Sequence, residues 1–342
     1  MTFSFLKVQH FEGIVLNVIQ TVRVRVEPGV RQLLVGFASN QRLLRIEESR
    51  SMRANSYVVN SLIGSALYSG WAALTFISIR NGSSEFWVGT VVFAAATTVP
   101  AAYVSLNKEK MDMKGVKCGA LAGVFFFIGT VLFMYSIATQ SISSVYVFIP
   151  GSAIIFYLLT ANMAQHRGTE KLRVLVGMLI ASAGLILGEF IGGYTSFNEV
   201  GLVVGILITF SYGLASYYVV LGSTYGIGSI GLSTMMTELM LFVSAALFTF
   251  DGRLITSASS NYFALLAGLF VAGGFMLEVH LFRTAIRNRV KSLANLNLIN
   301  VLINGDSIFV MLAAVLLNSY TALSLLGLFL VYVGATIMQL EY

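Results

Sequence analysis

Ten apolar segments follow one another along this chain, each long enough to cross a lipid bilayer. About 20 helical residues, at a rise of about 1.5 Å each, suffice for a crossing. Only 11% of the residues are charged, against about 25% in soluble domains. The sequence therefore predicts an all-α polytopic membrane protein with ten transmembrane helices, at residues 57–79, 86–106, 115–138, 143–163, 172–190, 200–221, 229–250, 262–282, 292–317 and 321–340.

Lys and Arg residues are distributed unequally between the two sets of alternate loops. One set has eleven of them and the opposite set has only Arg80 and Arg253. Because positive charges concentrate in cytoplasmic loops, both termini are predicted to be cytoplasmic. The eleven are Lys108, Lys110, Lys114, Lys117, Arg167, Lys171, Arg173, Arg283, Arg287, Arg289 and Lys291.

The N-terminal residues 1–52 differ from the rest of the chain. They are basic, with eight Lys and Arg counted to Arg53, and they have no apolar run long enough to span a membrane. Two interpretations stay open, a poorly ordered tail and a basic helix lying at the membrane interface. A secretory signal is not expected, because the apolar core and cleavage pattern are missing.

The ten predicted spans divide into two sets of five, residues 57–190 and 200–340. Span five and span ten each have two glycines seven residues apart, and spans one and six each have a glycine beside a tyrosine, in LYSGWA and FSYGLA. With an odd number of spans, the second set must enter the membrane inverted relative to the first, as in many secondary transporters. The glycines concerned are Gly177, Gly184, Gly327, Gly334, Gly70 and Gly213.

Over residues 57–340 the sequence resembles the drug/metabolite transporter superfamily, in particular its ten-span EamA-like branch. The resemblance rests on the span count, the glycine patches and the close of each half, with Pro150 in span four. It implies a helical bundle with a central cavity between two inverted halves. The sequence departs from the family where a glutamate usually ends spans four and nine, and Asn300 occupies the place of the second proline.

Span nine carries an unusual number of polar residues for a membrane helix. Asn297, Asn300 and Asn304 are three and four residues apart, which places them on one helical face, and Asp306 follows. Polar groups at membrane depth normally face a cavity or another helix. We expect this helix to supply much of the polar wall of a cavity, although hydrogen bonding between packed helices is the competing explanation.

Two glutamates lie within apolar segments of the second half. Glu238 is near the middle of span seven, and Glu278 lies in span eight. Burial disfavours the charged form of a carboxyl, so each is a candidate for binding a cationic group or exchanging a proton. Tyr68 in span one and Tyr212 in span six are candidate aromatic walls. The ionisable chemistry of any cavity is expected to come mainly from the second half.

No enzyme or metal motif accompanies these residues. The sequence has no GxSxG, Walker A or HExxH motif and one cysteine, so no catalytic residue, metal site or cofactor is predicted. We predict a secondary transporter, an exporter or permease for a small polar organic metabolite, with proton coupling as a further hypothesis. The alternatives are a sugar or nucleotide-sugar exchanger and, from another class, a membrane-embedded lipid-modifying enzyme or scaffold.

The expected partners are a small-molecule substrate and the lipid bilayer, without nucleic acid. The question of a homodimer stays open. As a multi-pass integral membrane protein, the chain is expected to reside in the cell (plasma) membrane.

Overall fold

The computed structural model describes residues 57–139, 151–161, 168–189, 199–249, 258–287, 292–303, 305 and 322–339. These residues form ten α-helices and no β-strand, which confirms the all-α prediction over this part of the chain. The predicted tail, residues 1–52, lies outside it. In chain order the helices are α1 Tyr57–Arg80, α2 Glu85–Asn107, α3 Met113–Thr139, α4 Ser152–Thr160, α5 Gly168–Glu189, α6 Glu199–Ser223, α7 Ile227–Phe248, α8 Ala258–Arg287, α9 Ser292–Ile303 and α10 Ala322–Gln339.

Six of these helices are long and apolar enough to cross a membrane. They are α1, α2, α3, α6, α7 and α8, and a bilayer forces such segments into helices because it offers their backbone groups no hydrogen-bond partner. Helices α4, α5, α9 and α10 fall on the other four predicted spans. Their crossing of the membrane stays a prediction.

The long helices expose apolar side chains and bury polar ones. Leu247 and Phe248 on α7 are 70% and 92% exposed, whereas Glu238 on the same helix is 2% exposed. Two serines on α1, Ser61 and Ser65, are fully buried. In a soluble domain, charged residues lie mostly on the surface and large apolar residues mostly inside. The surface of this bundle is therefore suited to lipid, and its interior has the polar groups.

The main core lies where the long helices cross. Helix α2 packs against α7 and α8, and α3 packs against α6 and α7. The rings of Phe93 on α2 and Phe242 on α7 stack with their centroids 5.3 Å apart. A side chain at Gly89 would overlap the ring of Phe242, so this glycine allows the phenylalanine to pack directly onto the α2 backbone.

Helices α5 and α10 form a close antiparallel pair. A Cβ atom at Gly177 would lie 2.7 Å from the carbonyl oxygen of Gly334, and one at Gly184 would lie 2.6 Å from that of Gly327. The two backbones thus approach too closely for any side chain at these positions. All four glycines that the sequence places at equal spacing lie in this contact.

Helix α9 is enclosed by other helices. It packs against α4, α5, α8 and α10, and its described side chains are all buried except that of Asn295, which is intermediate. A side chain at Gly64 of α1 would lie 3.3 Å from Ile303, so the end of α9 also approaches α1. Helix α9 therefore has no described face turned to lipid.

The loop between α2 and α3 covers the start of α7. The carboxylate of Glu109 accepts a hydrogen bond from the backbone N–H of Gly228 at 3.0 Å, and the Ser229 hydroxyl accepts one from the N–H of Asp112 at 2.9 Å. The first N–H groups of a helix have no partner within it, and a negative charge there is favourable. This contact fixes α7, and with it Glu238, relative to α2 and α3.

Candidate functional site

A cavity lies between the six long helices, with α9 contributing one residue. The space between its walls, including the part open to the outside, is about 600 Å³. Three helices of the first half and four of the second contribute, so the cavity belongs to neither half alone. Its lining consists of Tyr68, Trp71, Phe93, Phe126, Thr130, Tyr212, Ser216, Met235, Glu238, Val271, Phe275, Glu278 and Ile303.

Two carboxyl groups face this cavity. Glu238 on α7 and Glu278 on α8 are each 2% exposed. The Tyr68 hydroxyl donates a hydrogen bond to Oε2 of Glu278 at 2.7 Å, which joins α1 to α8. Glu238 has no hydrogen-bond or ion-pair partner among the described residues. A buried carboxylate is costly unless it is protonated or compensated, so Glu238 is the more available of the two for a ligand.

Aromatic rings form much of the remaining wall. The rings of Phe126 on α3 and Phe275 on α8 meet edge to face, with centroids 5.7 Å apart. The centroid of the Phe126 ring lies 5.9 Å from that of Tyr212. Tyr68 and Trp71 also meet edge to face, with centroids 6.5 Å apart. These contacts between rings are favourable beyond simple burial and hold each ring in place. The cavity is therefore a mostly apolar space with acidic groups in its wall.

A few neutral polar residues also line the cavity. The indole Nε1 of Trp71 is buried and has no hydrogen-bond partner among the described residues. The hydroxyl-bearing residues Thr130 and Ser216 are 2% and 3% exposed. A buried donor without a partner costs about 1–3 kcal/mol.

Four of the residues predicted from the sequence converge on this cavity. They are Tyr68, Tyr212, Glu238 and Glu278. Both carboxylates come from α7 and α8, in the second half of the chain, as expected for its ionisable groups. Asn304 and Asp306 lie outside the described residues.

Asn297 and Asn300 are placed differently from the expected polar wall. Both are fully buried in α9, but neither lines the cavity, to which this helix contributes Ile303. Asn297 donates from Nδ2 to the carbonyl of Leu293 at 2.9 Å, one turn earlier in its own helix. Because neighbouring helices enclose α9, its asparagine face is directed to helix contacts. Their proposed role in binding stays a prediction.

Several lining residues were not predicted from the sequence, although a signal was present. Most of the long helices contribute residues three or four positions apart, which is the spacing of one helical face. Trp71 follows the predicted Tyr68 by three residues, and Ser216 follows Tyr212 by four. A search one helical turn further along the faces of Tyr68 and Tyr212 would have identified both residues.

The described residues contain no group of three or more His, Cys, Asp and Glu side chains that could hold a metal ion. The two cavity glutamates lack the further oxygen, nitrogen or sulfur donors that divalent cations require. The chemistry of this site is that of an acidic, aromatic binding cavity.

One end of the bundle is tied by hydrogen bonds between α1, α2 and α8. The hydroxyl of Ser78 donates to the carbonyl of Ser260 at 2.8 Å, and that of Ser260 donates to the carbonyl of Ser78 at 2.9 Å. The Trp87 indole on α2 donates to Oδ1 of Asn261 at 3.0 Å. These reciprocal bonds lie at the C-terminal end of α1 and hold that end of the bundle together.

The fold and the cavity define an all-α integral membrane protein with an acidic, aromatic cavity between its long helices. One solved protein crystal structure has a similar fold, with a TM-score of 0.61 over 82% of this chain and 98% of that chain, at 13% sequence identity. Identity at that level is evidence for the fold alone. Neither a protein-family model nor a curated protein matches the sequence.

Proposed function

We propose that this protein is a secondary transporter that moves a small polar organic metabolite across the cell membrane by alternating access. The observation that carries the proposal is the convergence of Glu238 and Glu278 on one cavity between the six long helices. Ionisable residues inside a membrane protein are costly and typically mark a substrate or ion pathway. An exporter and a permease are both compatible with this site, and its partners are the solute and the bilayer.

The proposed architecture is two inverted five-helix repeats, as in the EamA-like branch of the drug/metabolite transporters. Suppose that a two-fold axis relates each helix of the first half to the helix five places later in the chain. It then maps the packed pair α2–α8 onto the pair α7–α3, and both pairs are found. The pair α5–α10 maps onto itself. If Gly177 corresponds to Gly327 and Gly184 to Gly334, the same axis maps the contact Gly177–Gly334 onto the contact Gly184–Gly327. This agreement supports a pseudo-two-fold axis in the membrane plane.

Alternating access requires one end of the cavity to close while the other opens. By the distribution of Lys and Arg, the C-terminal end of α1 is the non-cytoplasmic end. The reciprocal Ser78 and Ser260 bonds tie α1 to α8 there. They have to break when the cavity opens to the outside, so they are proposed to belong to the outer gate.

Cysteine labelling tests alternating access without knowledge of the substrate. The chain has one cysteine, Cys118, so a Cys118→Ala background accepts Ser216→Cys as a single thiol in the cavity. A membrane-impermeant maleimide is expected to label it in both right-side-out and inside-out vesicles, because the cavity opens to each side in turn. Ser182→Cys is the matched control, since Ser182 is equally buried but does not line the cavity. Labelling of Ser216→Cys from one side only, or from neither, would contradict alternating access.

Proton coupling is a hypothesis that the two cavity carboxyls motivate. Neither has a basic side chain beside it in the described lining, so each can take up a proton when no cation is bound. Solute accumulation by the purified protein in liposomes is then expected to follow an imposed pH gradient and to stop when an ionophore dissipates it. Accumulation that is the same with and without the gradient would show that protons are not coupled.

A further inference from the structure

We infer that the solute is a small organic cation, an amine or ammonium compound with an apolar, ring-sized body. The inference rests on the proposed transport function, because it concerns the ligand of the same cavity. It depends on three independent properties of the described lining: its charge, its aromatic rings, and the hydrogen bond that occupies Glu278 but not Glu238.

The charge of the cavity excludes an anionic ligand and favours a cationic one. The lining has two glutamates and no Lys, Arg or His among its described residues. An anion bound there would face like charges at low dielectric with no basic side chain to compensate it. A cation would instead supply the counter-charge that a buried carboxylate lacks.

The hydrogen bonds distinguish the roles of the two glutamates. One oxygen of Glu278 already accepts the hydrogen bond from Tyr68, which orients that side chain against α1. Glu238 has no described partner and is equally buried. Glu238 is therefore assigned as the group that meets the ammonium of the ligand, and Glu278 with Tyr68 as a positioning pair between α8 and α1.

The aromatic rings favour an organic cation over a metal ion. The rings of Tyr68, Trp71, Phe126 and Phe275 face the same space as the carboxylates. The faces of such rings attract ammonium groups, and their apolar surface suits a hydrocarbon body. A metal ion would find two carboxylates but few of the further oxygen donors that it needs.

The lining also favours an organic cation over a sugar. A sugar requires many hydrogen-bonding partners, whereas the neutral polar residues of the lining are Thr130, Ser216, Tyr68, Tyr212 and the indole of Trp71. The larger part of the wall is hydrocarbon and aromatic carbon. Burying hydroxyl groups against such a wall is unfavourable unless each finds a partner.

Tryptophan fluorescence provides a direct binding test in the full-length protein. The chain has two tryptophans, and Trp87 is bonded to Asn261 and does not line the cavity. In a Trp87→Phe variant, emission therefore reports Trp71 alone. The probes are 2-phenylethylamine, 2-phenylethanol and phenylacetate, which share a phenyl ring and carry a positive, no and a negative charge at neutral pH.

We expect the amine to change Trp71 emission with an affinity at least about tenfold higher than that of the alcohol, and phenylacetate to have no effect. Adding Glu238→Gln should remove the preference for the amine. Glu85→Gln, at the half-buried start of α2 and outside the cavity, is the matched control and should preserve it. Thermal unfolding of each variant establishes that it is folded.

Equal binding of amine and alcohol, tighter binding of phenylacetate, or no binding of any probe by the folded variant would overturn the inference. So would an amine preference that survives Glu238→Gln. The labelling of Ser216→Cys uses none of these probes, so alternating access can hold while the cation inference fails. Conversely, amine binding without two-sided labelling would support the ligand class and contradict transport.

Discussion

Uptake of 2-phenylethylamine into proteoliposomes is expected to fall at least about 25-fold when Glu238 is replaced by glutamine. The substitution preserves the shape of the side chain but removes the carboxylate that is assigned to compensate the ammonium. Removing one member of a buried charge pair costs about 2–5 kcal/mol, and each 1.4 kcal/mol corresponds to about a factor of ten. Radiolabelled amine uptake at equal protein density measures the effect.

Two matched variants make this result interpretable. Glu85→Gln removes a carboxylate outside the cavity and should retain full uptake. Tyr68→Phe removes the hydrogen bond to Glu278 but no charge, so a smaller loss is expected, because such a bond contributes about 1.5–3 kcal/mol when one partner is charged. If Glu238→Gln transports the amine as well as the unaltered protein, the assigned role of Glu238 is wrong.

Gly184→Ala is expected to destabilise the protein by about 1–3 kcal/mol, the usual cost of inserting atoms into a well-packed interface. The new Cβ would lie 2.6 Å from the carbonyl oxygen of Gly327 and 2.8 Å from the backbone nitrogen of Val331. Both are backbone atoms, so relief requires α5 and α10 to move apart. A lower thermal unfolding midpoint in detergent measures the loss.

Gly273→Ala on α8 is the matched control for this prediction. The nearest atom to a Cβ there is Cδ1 of Leu67 at 3.4 Å, an ordinary contact with a flexible side chain. Alanine favours a helix over glycine by about 0.5–1 kcal/mol, so this variant should be as stable as the unaltered protein or slightly more so. Equal midpoints for Gly184→Ala and Gly273→Ala would mean that the α5–α10 contact is looser than described.

Some site residues could be predicted because their cost does not depend on the fold. A carboxyl group within an apolar membrane segment is expensive wherever the helix is placed, so Glu238 and Glu278 stand out in the sequence before any packing is known. Gly177, Gly184, Gly327 and Gly334 also stand out in the sequence. Their equal spacing indicates a close contact, but the sequence does not say that they contact one another.

The asparagines of α9 illustrate where sequence reasoning stops. A spacing of three and four residues places Asn297 and Asn300 on one face, but periodicity does not say which neighbour that face meets. The structure encloses α9 between α4, α5, α8 and α10, so the described stripe lies in helix packing. Trp71 and Phe126 show the converse, because aromatic residues are common in membrane helices and nothing local distinguishes a cavity ring from a lipid-facing one.

The sequence by itself determined the class of protein and its apolar helical segments, because hydrophobic length and the requirement for paired backbone groups act on each segment separately. It also identified the acidic groups at membrane depth. Only the tertiary structure decided that Glu238, Glu278, Tyr68, Trp71 and Phe126 share one cavity. That arrangement depends on how each helix is rotated about its axis. The rotation is controlled by contacts between segments that are distant in the chain.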